Sequence, residues 1–377
     1  MRNKKQARIK SNDITILQCN LNKNRTITHS ILNDKTSMKF TILALQEHYW
    51  SKHTKEPLTH HSWTLIQSST PTKGQPRSAI YVNNNALPAS NFEPVNLPLN
   101  DVTAIKIKTE DDKPTLIINI YKPCNHNLIT PLRQYLSTSI NAEDYGAIVI
   151  LGDFNLHHSL WNPQNYTNHD AQAEELIETM ADLGMELMLP AGTVTFPRAG
   201  TTIDLVWGNN RAIEAATKCK VSTRNDHTSD HLAIETMLNL KTPNVEQAQK
   251  PFNYDKTDWK SMEHILANIM PPIINPDTAT PEEVDTFASD ISKALHQATS
   301  ETTPRKQSTP YSKRWWNDDL TKQRQQANKA RNRFRRTRSD DDLKVWKKKK
   351  KTFHKSINKA KQKTWRDFVN NADEKSI

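Results

Sequence analysis

Three short motifs carry groups that can do chemistry together: Gln46-Glu47, Gly152-Asp153-Phe154-Asn155 and Ser229-Asp230-His231. Each lies beside an apolar, strand-like run. TILAL precedes the first, AIVIL the second, and LAIETML follows the third. Carboxylate, amide and imidazole groups at strand ends converge on one rim of a sheet, where loops can hold a metal and a phosphodiester. Hydrolysing such an ester needs a cation to neutralise the phosphate, a positioned and deprotonated water, and a satisfied leaving oxygen. Oxygen donors suit Mg²⁺, for which Mn²⁺ can substitute. Glu47 ends a buried strand and is the first candidate ligand. Asn20 ends the strand before it and can serve the same ion or its waters. Asp153 and Asn155 are two apart on an extended segment, so both can reach one phosphate. Asp230 adds a carboxylate, and His231 adds an imidazole for proton transfer or charge stabilisation. Asp204 can orient that imidazole. Any one of these motifs alone is ordinary turn or cap chemistry. The three in this order point to metal-assisted phosphoester hydrolysis.

The elements that must position these residues are legible as apolar runs. Strands are expected at 14–19, 41–46, 78–83, 102–108, 115–121, 147–151, 203–207 and 232–238, all rich in Ile, Val, Thr and Tyr. Helices fit 26–32, 128–140 and 171–183; in the last, Ala173, Leu176, Ile177, Met180 and Leu183 recur on one face. Many strands with intervening helices imply a layered α/β domain over 13–240. Residues 241–311 gather prolines and lack glycine, which reads as a linker with short helices near 259–269 and 281–299. From 313 to 369 there is neither proline nor glycine, and Lys, Arg, Gln and Ala dominate. That predicts one long helix or a helical hairpin, broken near Ser339-Asp340-Asp341-Asp342. With sparse apolar anchors, this helix is expected to dock on something absent from the chain or to be ordered by nucleic acid.

Charge is segregated. Residues 1–240 hold 23 Lys and Arg against 23 Asp and Glu, whereas 305–370 hold 23 against 6. Such a basic tail suits a nucleic-acid partner, DNA or RNA. Residues 1–12 form a basic arm with no apolar stretch behind it, which excludes a secretory signal. No apolar run is long enough for a membrane span, so no membrane partner is expected. Cys19, Cys124 and Cys219 show no CxxC spacing and fit a reducing, intracellular setting. His157 and His158 suggest metal ligands, but no Cys/His partner lies near them in sequence, which favours a loop or DNA contact.

The segments QCNLNKNRTITHSIL, LALQEHYW, INIYKPCN, GDFNLHHSLWNP, TVTFPRAGTTIDLVW and SDHLAIE, in this order, resemble the endonuclease/exonuclease/phosphatase superfamily. They resemble more specifically the endonuclease domain of non-LTR retrotransposons of fungal and arthropod type. That resemblance implies a four-layered α/β sandwich of two mainly antiparallel sheets flanked by helices, over about 13–240. It places Asn20, Glu47 and Asp230 at the metal and Tyr121 at the scissile phosphate. It gives Asp153 proton transfer, Asn155 the orientation of phosphate or water, and His231, paired with Asp204, the stabilisation of developing charge. Thr195 contacts phosphate in this scheme, and Arg77, His157 and His158 meet DNA.

RWWNDDLTKQRQQANKARNRFRR resembles the basic segment that such elements place between endonuclease and reverse transcriptase. No polymerase motif follows, so the chain is expected to stop before a missing reverse transcriptase, with 312–377 as the basic helical segment. The implied function is a nuclear, Mg²⁺-dependent DNA endonuclease whose nick leaves a 3′-hydroxyl primer for reverse transcription of element RNA. Two other readings stay open. One is a superfamily phosphatase acting on a small or lipid phosphate, and the other is a degenerate relic that binds nucleic acid without cutting it.

Overall fold

The computed structural model describes residues 13–68, 75–164, 166–243, 252–275, 279–304 and 315–370. The basic arm at 1–12 lies outside the described residues, as do parts of the expected linker and both ends of the 312–377 segment.

Twelve strands form two six-stranded sheets. Sheet one uses β1 (Asp13–Asn20), β2 (Ile42–Gln46), β3 (Trp63–Ile66), β4 (Ser78–Asn83), β11 (Ala216–Val221) and β12 (Ile234–Lys241), in the order β11-β12-β1-β2-β4-β3. Sheet two uses β5 (Phe92–Val95), β6 (Val102–Ile107), β7 (Thr115–Tyr121), β8 (Ile148–Asp153), β9 (Met185–Leu187) and β10 (Asp204–Asn209), in the order β5-β6-β7-β8-β10-β9. Among the described residues, only β1–β2 and β7–β8 pair in parallel. The helices of this region are α1 (Arg25–Asn33), α2 (Ile129–Ser139), α3 (Ala171–Asp182) and α4 (Asn210–Ala215). All eight expected strands are present, shifted by at most two residues at each end except at the close of β12. The additional strands β3, β5, β9 and β11 are short or half-exposed, and Pro94 sits in β5 at a sheet edge, where a missing N–H costs no ladder bond.

Side-chain alternation along the strands sorts the core into layers. Ile14, Ile16, Ile42, Ala44, Ile80 and Val82 of sheet one meet Ile105, Ile117, Val149, Leu151 and Val206 of sheet two. The opposite face of sheet one, with Leu17, Leu43, Leu45 and Tyr81, packs on Ile27, Ile31 and Leu32 of α1. The opposite face of sheet two, with Leu116, Ile118, Ile150 and Leu205, packs on Leu132 and Leu136 of α2 and Leu176 and Met180 of α3. The result is a four-layered sandwich of two mixed sheets between helices. Each buried Ile or Leu contributes about 1.5–3 kcal/mol, so the intersheet layer fixes the register that aligns the strand ends.

Polar ties cross this apolar layer at one rim. Gln18 Nε2 donates to the Gly152 carbonyl at 2.9 Å. Asn119 Nδ2 donates to the carbonyls of Leu45 and Ala79 at 3.1 and 2.9 Å, and its Oδ1 accepts from Gln46 at 2.5 Å. Gly152 adopts φ +149, and a Cβ there would lie 1.9 Å from the Ile120 carbonyl oxygen, so only glycine fits between β7 and β8.

The chain divides into two compact units, 1–244 with 311–377 and, separately, 245–310. The smaller unit contains α5 (Trp259–Ile269) and α6 (Pro281–Thr302), the latter opened by a Thr280/Glu283 capping box. The larger unit includes α7 (Asp318–Thr337) and α8 (Asp340–Asn370), a hairpin turning at Arg338 with φ +54. Trp315, Leu320, Phe353 and Ile357 form its small core. The expectation that this segment docks on something absent, or is ordered only by nucleic acid, is corrected. Arg324 of α7 pairs with Asp34 after α1 at 2.9 Å, both wholly buried, and Arg331 pairs with Asp226 at 2.5 Å. The hairpin packs on the two-sheet domain through buried ion pairs, for which sparse apolar anchors suffice. Among the described residues, no helix is long and apolar enough to cross a membrane.

Candidate active site

The carboxyl ends of β1, β2, β7 and β8, the start of β10 and the loop entering β12 share the rim crossed by these polar ties. Asp153 ends β8 and faces Asp204 across the antiparallel pair with β10. Asn20 ends β1 and donates through Nδ2 to Asp153 Oδ2 at 2.7 Å, while the Asn155 amide donates to Asp153 Oδ1 at 3.1 Å. Asp153 is fully buried. Burial, reinforced by nearby Asp204, pushes its carboxyl up to about 7, against the pull of His231.

His231 Nδ1 donates to both oxygens of Asp204, at 2.9 and 3.1 Å. Its Nε2 stands 3.9 Å from Asp153 Oδ2. Burial opposes the imidazolium charge, but Asp204 outweighs it and raises the group to about 9. The ring therefore carries a proton at neutral pH and presents Nε2–H toward Asp153. Thr195 sits beneath this pair. It is fully buried, and its hydroxyl accepts from the Ile203 and Asp204 amides at 3.1 Å each. Thr195 thereby supports the start of β10, where Asp204 stands.

Glu47 adopts φ +44, a conformation rare for a non-glycine residue and typical of functional strand ends. Its carboxylate meets Lys23 at 3.1 Å and accepts from the Tyr121 phenol. Burial and Glu47 raise the Tyr121 hydroxyl far above its ordinary range, so it stays protonated as a donor. Arg77 stacks over the Tyr121 ring at 4.9 Å and is held by Asp101 at 2.6 Å. Asp230 Oδ2 accepts from Asn22 Nδ2 at 2.9 Å. Asn155 φ is +46, and its side-chain amide donates to the Lys122 carbonyl at 2.8 Å, tying the ends of β7 and β8.

The donor set fits a hard divalent cation. Glu47, Asn20, Asp153 and Asp230 offer only oxygen. The half-exposed Lys23 ammonium already marks Glu47 as a carboxylate that draws a cation, and a divalent ion can displace it cheaply. Asp153, Asp204 and His231 also bring ligand atoms within 4.8 Å of one another. Both oxygens of Asp204 are turned to His231, and those of Asp153 accept from Asn20 and the Asn155 amide.

His157 and His158 lie away from this cluster. The His157 ring stacks on Tyr166. His158 has partners that its sequence neighbourhood did not reveal: Nε2 meets Glu174 at 2.9 Å, and the ring lies against His169. These three are close enough to hold an ion. However, Nδ1 of His158 accepts from the Leu160 amide at 3.0 Å, so Nε2 carries the hydrogen and gives it to Glu174. This group is a hydrogen-bonded brace for the loop.

Asn22 and Lys23 carry no clear mark in the sequence, whereas Ser229 and Gln46 belong to the motifs and show here what they hold. Asn22 and Lys23, at φ +48 and +51, hold Asp230 and Glu47 respectively. Ser229 Oγ donates to the Asn20 carbonyl at 2.6 Å. Gln46 and Asn119 lie inside LALQEHYW and INIYKPCN, where their polar character in otherwise apolar runs was the available signal.

Residues 115–235 match a family model described as endonuclease-reverse transcriptase. The match spans Tyr121, Asp153, Asn155, Asp204, Asp230 and His231. No curated protein matches the chain. Among solved structures, the chain is similar to the endonuclease domain of TRAS1, a telomere-specific non-LTR retrotransposon, at 17% identity over 60% of this chain and 98% of that one, TM-score 0.47. It is similar to an AP endonuclease from Leishmania major at 13% identity over 61% and 88%, TM-score 0.49. An AP endonuclease from Archaeoglobus fulgidus shows 17% identity over 60% and 99%, TM-score 0.43.

Proposed function

We propose that this endonuclease/exonuclease/phosphatase domain is a Mg²⁺-dependent DNA endonuclease whose nick leaves a 3′-hydroxyl that can prime reverse transcription. The observation that carries the proposal is the buried Asn20–Asp153–His231–Asp204 chain at a rim that also holds Glu47 and Tyr121. Asp153, raised to about 7, takes the proton of an attacking water near neutral pH. His231, cationic and fixed by Asp204, offsets negative charge on the phosphorus oxygens. Tyr121 donates its hydroxyl to the same oxygens. Glu47, Asn20 and Asp230 would hold the cation, which would supply neutralisation of the phosphate charge. Arg77 borders the groove along Asp101, Pro123 and Asn125, where a phosphate backbone can run. Action on chromosomal DNA calls for a nuclear location and, for priming, a reverse transcriptase domain or partner. The exposed lysines of α8 suit DNA or element RNA.

End chemistry tests this. Nicks made by the full chain in plasmid DNA are expected to be extended directly by a DNA polymerase. Nicks that need prior phosphatase treatment would contradict the 3′-hydroxyl assignment. Release of phosphate from inositol phosphates, without DNA cleavage, would move the substrate to a small molecule.

A further inference from the structure

The loop that carries Asp230 and His231 takes its support from the opposite end of the chain. Arg331 of α7 is buried, and its guanidinium reaches two acceptors in this loop: Asp226 Oδ1 at 2.5 Å and the Ser229 carbonyl. Between those acceptors lies Thr228 at φ +69. A β-branched residue in the left-handed region is strained, and such strain persists only where the surroundings over-determine it. The Thr228 amide adds a bond to Asp226 Oδ1 at 2.9 Å. One turn earlier on α7, Asn328 donates to the Asp226 carbonyl. One turn before that, Arg324 donates to the Arg224 and Asp226 carbonyls at 3.3 and 3.2 Å while pairing with Asp34. Positions 324, 328 and 331 form one stripe of the helix. All three are buried, so contact with nucleic acid does not account for them. Across the loop, Ser229 Oγ is tied to the end of β1 through the Asn20 carbonyl. The segment before Asp230 is thus held from both sides, by β1 and by α7.

We propose that Arg331 is a positioning residue of the active site, whose guanidinium, bridging Asp226 and Ser229 across Thr228, sets where Asp230 and His231 stand. This assignment rests on the nuclease function proposed above. A planar fork that spans two acceptors at fixed separation is a property of arginine that lysine lacks. The basic hairpin is then part of the nuclease, separate from any role of its exposed lysines.

The test uses the full chain and steady-state nicking with Mg²⁺, at a temperature where circular dichroism shows every variant folded. The variants are Arg331→Ala, Arg331→Lys, Asn332→Ala and His231→Ala. In Arg331→Ala, kcat is expected to fall on the order of tenfold to a hundredfold with KM within about twofold, since small misplacements of catalytic groups act on the chemical step. Arg331→Lys is expected to recover part of the loss, and millimolar guanidinium is expected to rescue Arg331→Ala but not His231→Ala. Asn332→Ala, one residue along on the exposed face, keeps wild-type kinetics. A folded Arg331→Ala with wild-type kcat, or with a rise in KM alone, overturns the proposal. If the wild type itself does not nick, the nuclease function fails. Hydrogen exchange across 226–232 then tests the clamp by itself: faster exchange in Arg331→Ala but not in Asn332→Ala supports it, and unchanged exchange overturns it.

Discussion

At the scale of single residues, function depends on two acids in different surroundings. Asp153 is buried beside Asp204 and raised; Asp204 spends both oxygens on His231. The His231–Asp204 pair makes a signed prediction for the protein in EDTA. The folded-state value of His231, about 9, lies above its ordinary value of 6.5. The pair therefore contributes stability that is fully present below about 6.5 and is lost as pH rises through about 9. Asp204→Asn is expected to destabilise the protein most at pH 6 and progressively less toward pH 10, as read from urea unfolding at each pH. A deficit that grows with pH would contradict the pairing. Glu47, Asp153, Asp230 and His231 were legible as candidates because each sits beside an apolar run. The two amide bonds of Thr195 were not legible, because sequence carries no sign of which way a hydroxyl turns.

At the scale of elements, the strand ends are aligned by a few buried polar side chains that cross between sheets. Asn119 joins Gln46, Leu45 and Ala79, and so locks β7, which ends in Tyr121, to β2, which leads into Glu47. Asn119→Ala removes these three buried bonds and is expected to cost about 1–3 kcal/mol, measured by denaturant unfolding; a cost near zero would show that the tie is dispensable. Central strands were readable because β-branched runs such as TLIINIY mark buried ladders. The edge strands β3, β5, β9 and β11 were not, since short half-exposed segments carry weak patterns. The hairpin break near Ser339 was visible in the Asp340–Asp342 cluster, which suits a helix start. Its docking was not visible. Asp34 and Asp226 lie far in sequence from Arg324 and Arg331, and nothing local links them.

At the scale of the whole molecule, a charge-balanced two-sheet domain carries a strongly basic hairpin within one compact unit. Part of that charge is structural: Arg324 and Arg331 are buried in ion pairs. Lys347, Lys348 and Lys351 on α8 are exposed. Duplex binding by the full chain is expected to weaken with salt, and replacing those three lysines by glutamine is expected to flatten the slope by about 0.9 for each phosphate no longer neutralised. An unchanged slope would assign the tail's charge wholly to structure. The chemistry itself is read from supercoiled-plasmid nicking by the full chain, with Mg²⁺ or EDTA and beside Asp153→Asn and His231→Ala. Mg²⁺-dependent nicking is expected, abolished by EDTA and reduced by each substitution on the order of 10²–10⁴-fold. A folded wild-type protein that leaves the plasmid intact with Mg²⁺, or variants that nick as well as wild type, would contradict it.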